Sequence, residues 1–372
     1  MKKRILMSAI VTAIVALAVS CASAGSLKRA AVEKCDIENE STRKFLDEVD
    51  YSADTAYVIS YISDYRSKYG ANDEPLPVTV SWTGGPAAKI VMSTSAKFKD
   101  TFEIQASESP AEIYNLIPDV KYYYKVLGSD NSVLKTGCVM PVGPLRMIKG
   151  ISDNVRDLGG WKVAGGGHIA YGKLYRGAYL SSRMPESGKD IFLKDLGISV
   201  DLDLRGIKDS EAHVRGVIDG ADYLKLPVEK NIGRGTGNTE ELYQQAIRSI
   251  IGWLGEGRSV YFHCAGGADR TGSLAFLIEA LLGVSESDMS KDYELTTYDG
   301  KNRRQRDFRA TESETHILYE LITHLRKFGY PEVSSINDLA YNWATTRHSE
   351  KVDPLTKEEI DLLRKFLIVK DR

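Results

Sequence analysis

The chain has 372 residues, 42% of them hydrophobic and 27% charged, an ordinary globular composition whose length suits two folded units better than one core. The formal net charge is −2 and becomes −5 once the three cations Lys2, Lys3 and Arg4 are removed with a leader. A mildly acidic chain excludes a general nucleic-acid binder, which needs a basic excess.

Residues 5–20 follow those cations without a charge and are mostly apolar, the layout of a signal peptide rather than of a membrane span. Leu17-Ala18-Val19-Ser20-Cys21 resembles the lipobox of bacterial lipoproteins, in which the cysteine is lipidated and becomes the N-terminus. That resemblance implies a signal peptide over 1–20, lipidation of Cys21 and membrane attachment through the anchor. Ala22 rather than Asp follows the cysteine, which by analogy with lipoprotein sorting points to the outer membrane, facing the periplasm. Ala22-Ser23-Ala24 resembles an ordinary secretory cleavage site, so a secreted or periplasmic chain is the alternative. In an oxidising compartment Cys35 and Cys138 either pair or remain idle thiols.

The segment 21–75 contains a short helix over 41–49, and the run Tyr57 to Ile62 reads equally as strand or helix. From Pro77 the pattern changes to period two: Val78, Val80 and Trp82, then Ile90 and Met92, Phe102 and Ile104, Tyr122, Tyr124 and Val126, and a closing run over 133–139. Short alternating runs separated by Gly, Pro, Asn and Asp predict a β-sandwich over 76–142. Asn115-Leu116-Ile117-Pro118-Asp119-Val120-Lys121-Tyr122 resembles a fibronectin type III or purple-acid-phosphatase-like domain, which implies Tyr122 as a corner tyrosine and Trp82 as the core tryptophan.

After Pro141 and Pro144 the rhythm becomes α/β. Strands are predicted over 198–204, 224–228 and 259–262, and helices over 239–254, 271–282, 313–328, 335–343 and 356–368. The helix over 271–282 is almost wholly apolar, hence central and buried. The last helix opens on Thr356 and Glu359, the spacing of a capping box.

Between the strand ending at Phe262 and the apolar helix stands His263-Cys264-Ala265-Gly266-Gly267-Ala268-Asp269-Arg270-Thr271-Gly272. A strand, a Gly-rich turn and a helix N-terminus aim several backbone N–H groups at one small volume and favour an anion there. Six positions from Cys264 to Arg270 suffice to wrap a tetrahedral anion, and a guanidinium contacts two of its oxygens at once. The same field favours a thiolate, a nucleophile equipped to attack phosphorus.

A cysteine, five residues, an arginine and then Thr-Gly, with a histidine in front, resembles the signature of the protein tyrosine phosphatase superfamily. The ending Asp-Arg-Thr-Gly narrows the resemblance to the bacterial tyrosine/lipid phosphatases. Asn154-Val155-Arg156-Asp157-Leu158-Gly159-Gly160, Leu174-Tyr175-Arg176-Gly177 and Asp203-Leu204-Arg205 with Glu211 fit the same family, over roughly residues 146–370. The two resemblances together imply a two-domain chain, a fibronectin III-like β-sandwich followed by an α/β tyrosine phosphatase-like domain over 146–372; the latter contains every catalytic motif and has length enough for its own core, so it is expected to suffice for chemistry. Cys264 would form a phosphocysteine, Arg270 hold the phosphoryl group, Thr271 donate to the thiolate and His263 orient the loop. The backbone of Ala265, Gly266, Gly267, Ala268 and Asp269 would bind phosphate. Arg156 and Asp157 stand as supporting candidates, either a structural ion pair or part of the pocket floor.

For the proton that a leaving oxygen needs, relatives supply an Asp from a loop some residues before the cysteine. No Asp occurs between Asp222 and Asp269, so Asp269 is the expected general acid, with Glu229 next. Relatives often carry Lys where Ala268 stands, so the resemblance points away from highly charged inositol phosphates and towards phosphotyrosine or similar monoesters. Inositol phosphates and phosphoinositides, supported by the basic run Lys301, Arg303, Arg304 and Arg306, and an inert phosphatase-like binding protein remain as alternatives. No cofactor or metal is expected, the histidines lacking ligand spacing. The expected partners are a phosphorylated protein or small phosphomonoester and the membrane.

Overall fold

The computed structural model describes residues 31–48, 54–69, 72–209, 211–232, 238–298, 317–330 and 334–371. The leader, Cys21 and the basic run at 301–306 lie outside the described residues. The chain divides into two compact units, one comprising Leu76–Gly143 with the residues up to Ile37, the other Glu38–Pro75 with Pro144–Arg372.

The first unit contains β1 (Glu33–Asp36), β2 (Val78–Val80), β3 (Ala87–Ser93), β4 (Thr101–Gln105), β5 (Ala111–Ile113), β6 (Tyr122–Gly128) and β7 (Val133–Val142). They form a five-stranded sheet in the order β1-β7-β6-β3-β4 and a two-stranded sheet of β2 and β5. The alternation read from the sequence buries Val78, Val80, Ile90, Met92, Tyr124 and Val126 in one core with Trp82. The amide of Ile117 donates to the Tyr122 hydroxyl at 3.1 Å, closing the corner before β6. Gly137 is required where it stands, because a Cβ would lie 2.4 Å from the Tyr124 ring. Phe102 is 40% exposed, as an edge strand allows.

Two features go beyond what the alternation predicts. The larger sheet is mixed, since β1 runs parallel to β7 while the other pairs are antiparallel. The same register keeps Cys35 and Cys138 apart as free thiols: Cys35 sits opposite Pro141, three residues along from Cys138. That offset is about 10 Å at ~3.3 Å per residue, beyond the ~7 Å Cα limit of a disulfide.

The second unit opens with α1 (Glu40–Glu48) and α2 (Thr55–Tyr69), so the ambiguous run at Tyr57 is helical. The expectation was a separate N-terminal segment over 21–75 ahead of a catalytic domain over 146–372; instead Glu38–Pro75 belongs to the same compact unit as Pro144–Arg372. Phe45, Val58 and Ile62 are fully buried in the core of the second unit, together with Tyr298 and Leu321. A helix must bury its apolar residues against another element, and these helices bury theirs in this unit.

The sheet of the second unit has the order β12-β11-β13-β10-β8, from β8 (Arg156–Asp157), β10 (Leu174–Gly177), β11 (Ile198–Asp203), β12 (Asp222–Lys225) and β13 (Ser259–His263). A short β9 (His168–Ile169) pairs instead with β14 (Ile368–Val369). Strands β10, β11, β12 and β13 are parallel, and Gly177, Asp203 and His263 end in register at one edge. The accompanying helices are α3 (Glu186–Asp190), α4 (Thr239–Gly255), α5 (Arg270–Leu282), α6 (Glu286–Leu295), α7 (Ile317–Leu325), α8 (Ile336–Thr345) and α9 (Lys357–Leu367). Every residue of α5 from Thr271 to Leu282 is buried, as its continuous apolar run requires. Thr356 and Glu359 form the expected capping box on α9, and Ser335 and Asp338 form another on α8. No amphipathic stripe announced α6, because Ser290, Asp292 and Glu294 lie on its buried faces beside Met289 and Tyr293.

Candidate active site

The parallel strands deliver three chain segments to the carboxyl edge of the sheet, where α/β folds place their ligands. β11 leads into Leu204–Asp209, β13 into 264–269, and β12 into the stretch ending at Asn231. Together they enclose a cavity of about 290 Å³ lined by Asp209, Glu229, Lys230, Asn231, Cys264, Gly266, Ala268, Asp269 and Arg270.

The loop from Cys264 to Asp269 is held by its carbonyls. Cys264 O lies 3.1 Å from His263 Nδ1, and Ala265 O accepts from the Tyr179 amide at 3.3 Å. Gly266 O accepts from Asn154 Nδ2 at 3.1 Å. Gly267 O accepts from Arg176 Nη2 at 3.1 Å, and Ala268 O from the same nitrogen at 3.5 Å and the Gly272 amide at 3.1 Å. In a trans peptide the next N–H points opposite to the carbonyl, so outward carbonyls turn the amides of 265–269 towards the cavity. Gly267 has φ +68°, and a Cβ there would lie 2.3 Å from the carbonyl carbon of Gly177. Glycine alone fits this approach of loop to strand.

Cys264 sits at the floor, 3% exposed. Burial pushes its thiol up, but the Arg270 charge, the Thr271 hydroxyl and the Thr271 amide outweigh burial and hold it below its ordinary value; Asp269 opposes them. Thr271 Oγ1 is buried without an oxygen or nitrogen partner, consistent with service to the sulfur. Arg270 Nη1 donates to Asp209 Oδ2 at 2.5 Å and to Val228 O at 3.1 Å. Burial opposes its charge, but Cys264 and Asp209 more than offset that and keep the guanidinium protonated.

His263 lies beneath the loop with Nε2 at 2.9 Å from Asp201 Oδ1. Burial lowers its proton affinity, while Asp201 and then Asp203 raise it further, so the imidazole binds its proton above the usual histidine range. Asp203 is in turn gripped by Arg205 Nε and Nη2, at 3.0 and 2.8 Å, and by the Tyr223 hydroxyl at 2.7 Å. Arg205 also donates to Glu211 O at 3.0 Å, so the Asp-Leu-Arg strand serves the frame rather than the cavity.

Arg156 and Asp157 are neither an ion pair with each other nor cavity floor. Successive strand residues face opposite sides of a sheet. Arg156 accordingly joins Asp292 Oδ1 at 2.8 Å, and Asp157 joins Arg146 Nη1 at 2.9 Å while accepting the amides of Gly159 and Gly172. Of the residues expected to bind phosphate, Gly266, Ala268, Asp269 and Arg270 line the cavity, whereas Ala265 and Gly267 are not among its lining residues. Asp269 Oδ1 accepts from the Tyr293 hydroxyl at 3.2 Å. Glu229 also lines the cavity, its Oε1 accepting the Ile207 amide at 2.7 Å.

Sequence reasoning missed Asp209, Lys230 and Asn231. Asp209 stands four residues after Arg205 of the Asp-Leu-Arg motif, ahead of the interval from Asp222 to Asp269 in which an acid was sought.

A profile of the tyrosine phosphatase family matches residues 148–339, just over half of the 372-residue chain. The chain belongs to this family. It is similar to a Cupriavidus necator protein whose name assigns it as a tyrosine-protein phosphatase, with 28% identity over 181 residues, 42% of this chain. The chain spans 63% of the length of that relative. Among solved structures, P. aeruginosa TpbA shares 15% identity over 50% of this chain and 96% of its own, at a TM-score of 0.31. The core catalytic domain of the S. cerevisiae PP-IP phosphatase SIW14, solved with citrate, shares 15% identity over 36% of this chain and 77% of its own, at a TM-score of 0.28.

Proposed function

We propose that this tyrosine phosphatase family member is a cysteine-dependent phosphomonoesterase, acting on phosphotyrosine or a similar monoester through a phosphocysteine. The observation that carries the reading is one loop that turns its amides inward around a thiol of lowered pKa, with Arg270 beside it. The amides and Arg270 bind the three non-bridging phosphoryl oxygens. Cys264 Sγ attacks phosphorus as the P–O bond to the leaving group breaks. The leaving oxygen takes a proton from Asp269, and Asp269 then accepts a proton from the water that cleaves the S–P bond. Tyr293, donating to Asp269 Oδ1, supports that orientation. A second reading gives the acid role to Asp209, which lines the cavity and meets Arg270 at 2.5 Å.

Substrates with one phosphoryl group suit the cavity better than polyphosphorylated inositols, because Asp209, Glu229 and Asp269 face only Arg270 and Lys230 among the lining residues. The name of the Cupriavidus necator relative favours phosphotyrosine within that class. An inert binding protein is disfavoured by the intact set of Cys264, Arg270 and Thr271. In the same reading the first unit is fibronectin III-like and docks an unidentified partner. The chain is anchored through a lipid on Cys21 in a bacterial envelope, at the outer membrane and facing the periplasm.

The test is Cys264→Ser. Turnover of nitrophenyl phosphate should vanish while inorganic phosphate still binds, since the loop amides remain and a hydroxyl is not ionised near neutral pH. Turnover within tenfold of the parent would remove the covalent mechanism. Released phosphate from phosphotyrosine peptides and from inositol phosphates, measured side by side, separates the substrate classes.

A further inference from the structure

Directly behind the phosphate loop lies a group of charged side chains that touches no part of the cavity. Arg156 and Arg176 are fully buried, and Asp292 of α6 is buried between them. Asp292 Oδ1 accepts from Arg156 Nε at 2.8 Å, Asp292 O accepts from Arg156 Nη2 at 2.6 Å, and Asp292 Oδ2 pairs with Arg176 Nη1. Each arginine passes this constraint to the loop. Arg156 Nη1 donates to Asn154 Oδ1 at 2.8 Å, which fixes the Asn154 amide so that Nδ2 reaches Gly266 O. Arg176 Nη2 reaches Gly267 O and Ala268 O. The Asn154 backbone at φ +54° holds the donor at the required angle, a conformation asparagine tolerates better than most residues.

We propose that Asp292 is a positioning residue for phosphate binding and thiol activation. By fixing both arginines it pulls the carbonyls of Gly266, Gly267 and Ala268 outward and so aims the following amides at the phosphoryl oxygens and the Cys264 sulfur. This extends the phosphatase reading to a residue that contacts neither substrate nor the reacting atoms.

The charge balance of the cluster agrees. Glu279 of α5 is fully buried with neither carboxylate oxygen hydrogen-bonded, which suits a protonated acid. Burial and then the Asp292 charge push its pKa well above the ordinary range, against the pull of Arg176 and Arg156; Asp288 adds to the push. The shift favours the neutral form of Glu279, whereas both arginines hold the Asp292 carboxyl below its ordinary value against burial, so Asp292 is the carboxylate that pairs with the two guanidiniums.

The experiment uses the full chain and two readouts that need no turnover. One is calorimetric binding of inorganic phosphate; the other is the pH midpoint of iodoacetamide alkylation at Cys264, followed on its peptide by mass spectrometry. Asp292→Asn is expected to weaken phosphate at least tenfold and to raise the alkylation midpoint, with the far-UV circular dichroism of the parent. Should that variant fail to fold, Asn154→Gly, which tolerates the positive φ and removes the side chain linking Arg156 to Gly266 O together with its contacts to Thr296, is expected to weaken phosphate several-fold. A folded Asp292→Asn with parental phosphate affinity and midpoint, or a parental Asn154→Gly, overturns the proposal. Because neither readout is catalytic, a parent chain that binds phosphate but hydrolyses nothing would sink the phosphatase reading and leave this one to be judged on its own variants.

Discussion

Cys264 and His263 are neighbours in sequence whose protons respond to opposite fields. The Cys264 pKa is depressed in the fold, with Arg270 and Thr271 overcoming burial. Alkylation of Cys264 should therefore show a midpoint below the ~8.5 of a free thiol, and kcat/KM should fall as pH drops through that midpoint. A midpoint at or above the free value would remove electrostatic activation. The stability the thiolate contributes is complete above the unfolded thiol's pKa and is lost as pH falls through the folded one. His263 has the reverse sign, because Asp201 and Asp203 raise its pKa against burial. Its contribution is complete below the unfolded value of ~6.5 and is lost as pH rises through the folded value. His263→Asn should cost about 3 kcal/mol near pH 6, in the range for breaking a buried pair, and less in alkaline solution. Urea unfolding across that range would show it, and a constant deficit would mean the imidazole is not charged. Arg270→Lys should also lose turnover by two orders of magnitude or more, since an ammonium cannot make the planar two-point contact. Steady-state kinetics on nitrophenyl phosphate measures that loss.

At the scale of elements, the active loop is a strand-to-helix connection held by its neighbours. β13 brings Cys264 to the sheet edge, the α5 N-terminus aims at the same point, and β10 sets how closely the loop can approach. The Gly267→Ala substitution tests that approach. Its Cβ would meet the backbone of Gly177, which is fixed by strand pairing, at 2.3 and 2.4 Å from the carbonyl carbon and oxygen. The loop must therefore move. A displacement of ~1 Å in a catalytic group costs about a hundredfold, so kcat/KM on an aryl phosphate is expected to fall by that factor or more. Activity within threefold of the parent would show that the loop adapts. Leu277→Ala probes the support below: the side chain is fully buried in α5, and the cavity should cost about 2–5 kcal/mol in urea unfolding with the thiol midpoint unmoved.

For the whole molecule, the second unit is discontinuous in the chain. Residues 144–372 contain every loop of the candidate site but lack Phe45, Val58 and Ile62, which are fully buried in its core. Losing buried side chains at about 2–5 kcal/mol each approaches the entire stability of a domain. A protein of residues 144–372 is expected to lack a cooperative thermal transition. One joining 38–75 to 144–372 through a short Gly-Ser linker is expected to fold and to hydrolyse nitrophenyl phosphate at a parental rate. The join is short because Glu74 and Lys149 form an ion pair at 3.4 Å. Activity in the shorter protein would show the two helices to be dispensable; none in a folded joined protein would make the first unit a participant in the pocket.

The proposed nucleophile, the proposed clamp and the loop between them were legible in the sequence because they occupy consecutive residues, 264–271, where local geometry follows from a strand, glycines and a helix start. The alternating runs of the first unit and the apolar run of α5 were legible for the same reason: a period of two or an unbroken apolar stretch states which faces are buried. Asp292, Arg176 and Asn154 were not assigned roles, because their work depends on contacts 91 to 136 residues apart and no local pattern marks a buried carboxylate on a polar helix. Likewise the parallel register that separates Cys35 from Cys138, the helical state of Tyr57 to Ile62 and their place in the second unit were decided by tertiary packing. A short apolar run fits strand or helix alone, and only the surface it finally covers selects between them.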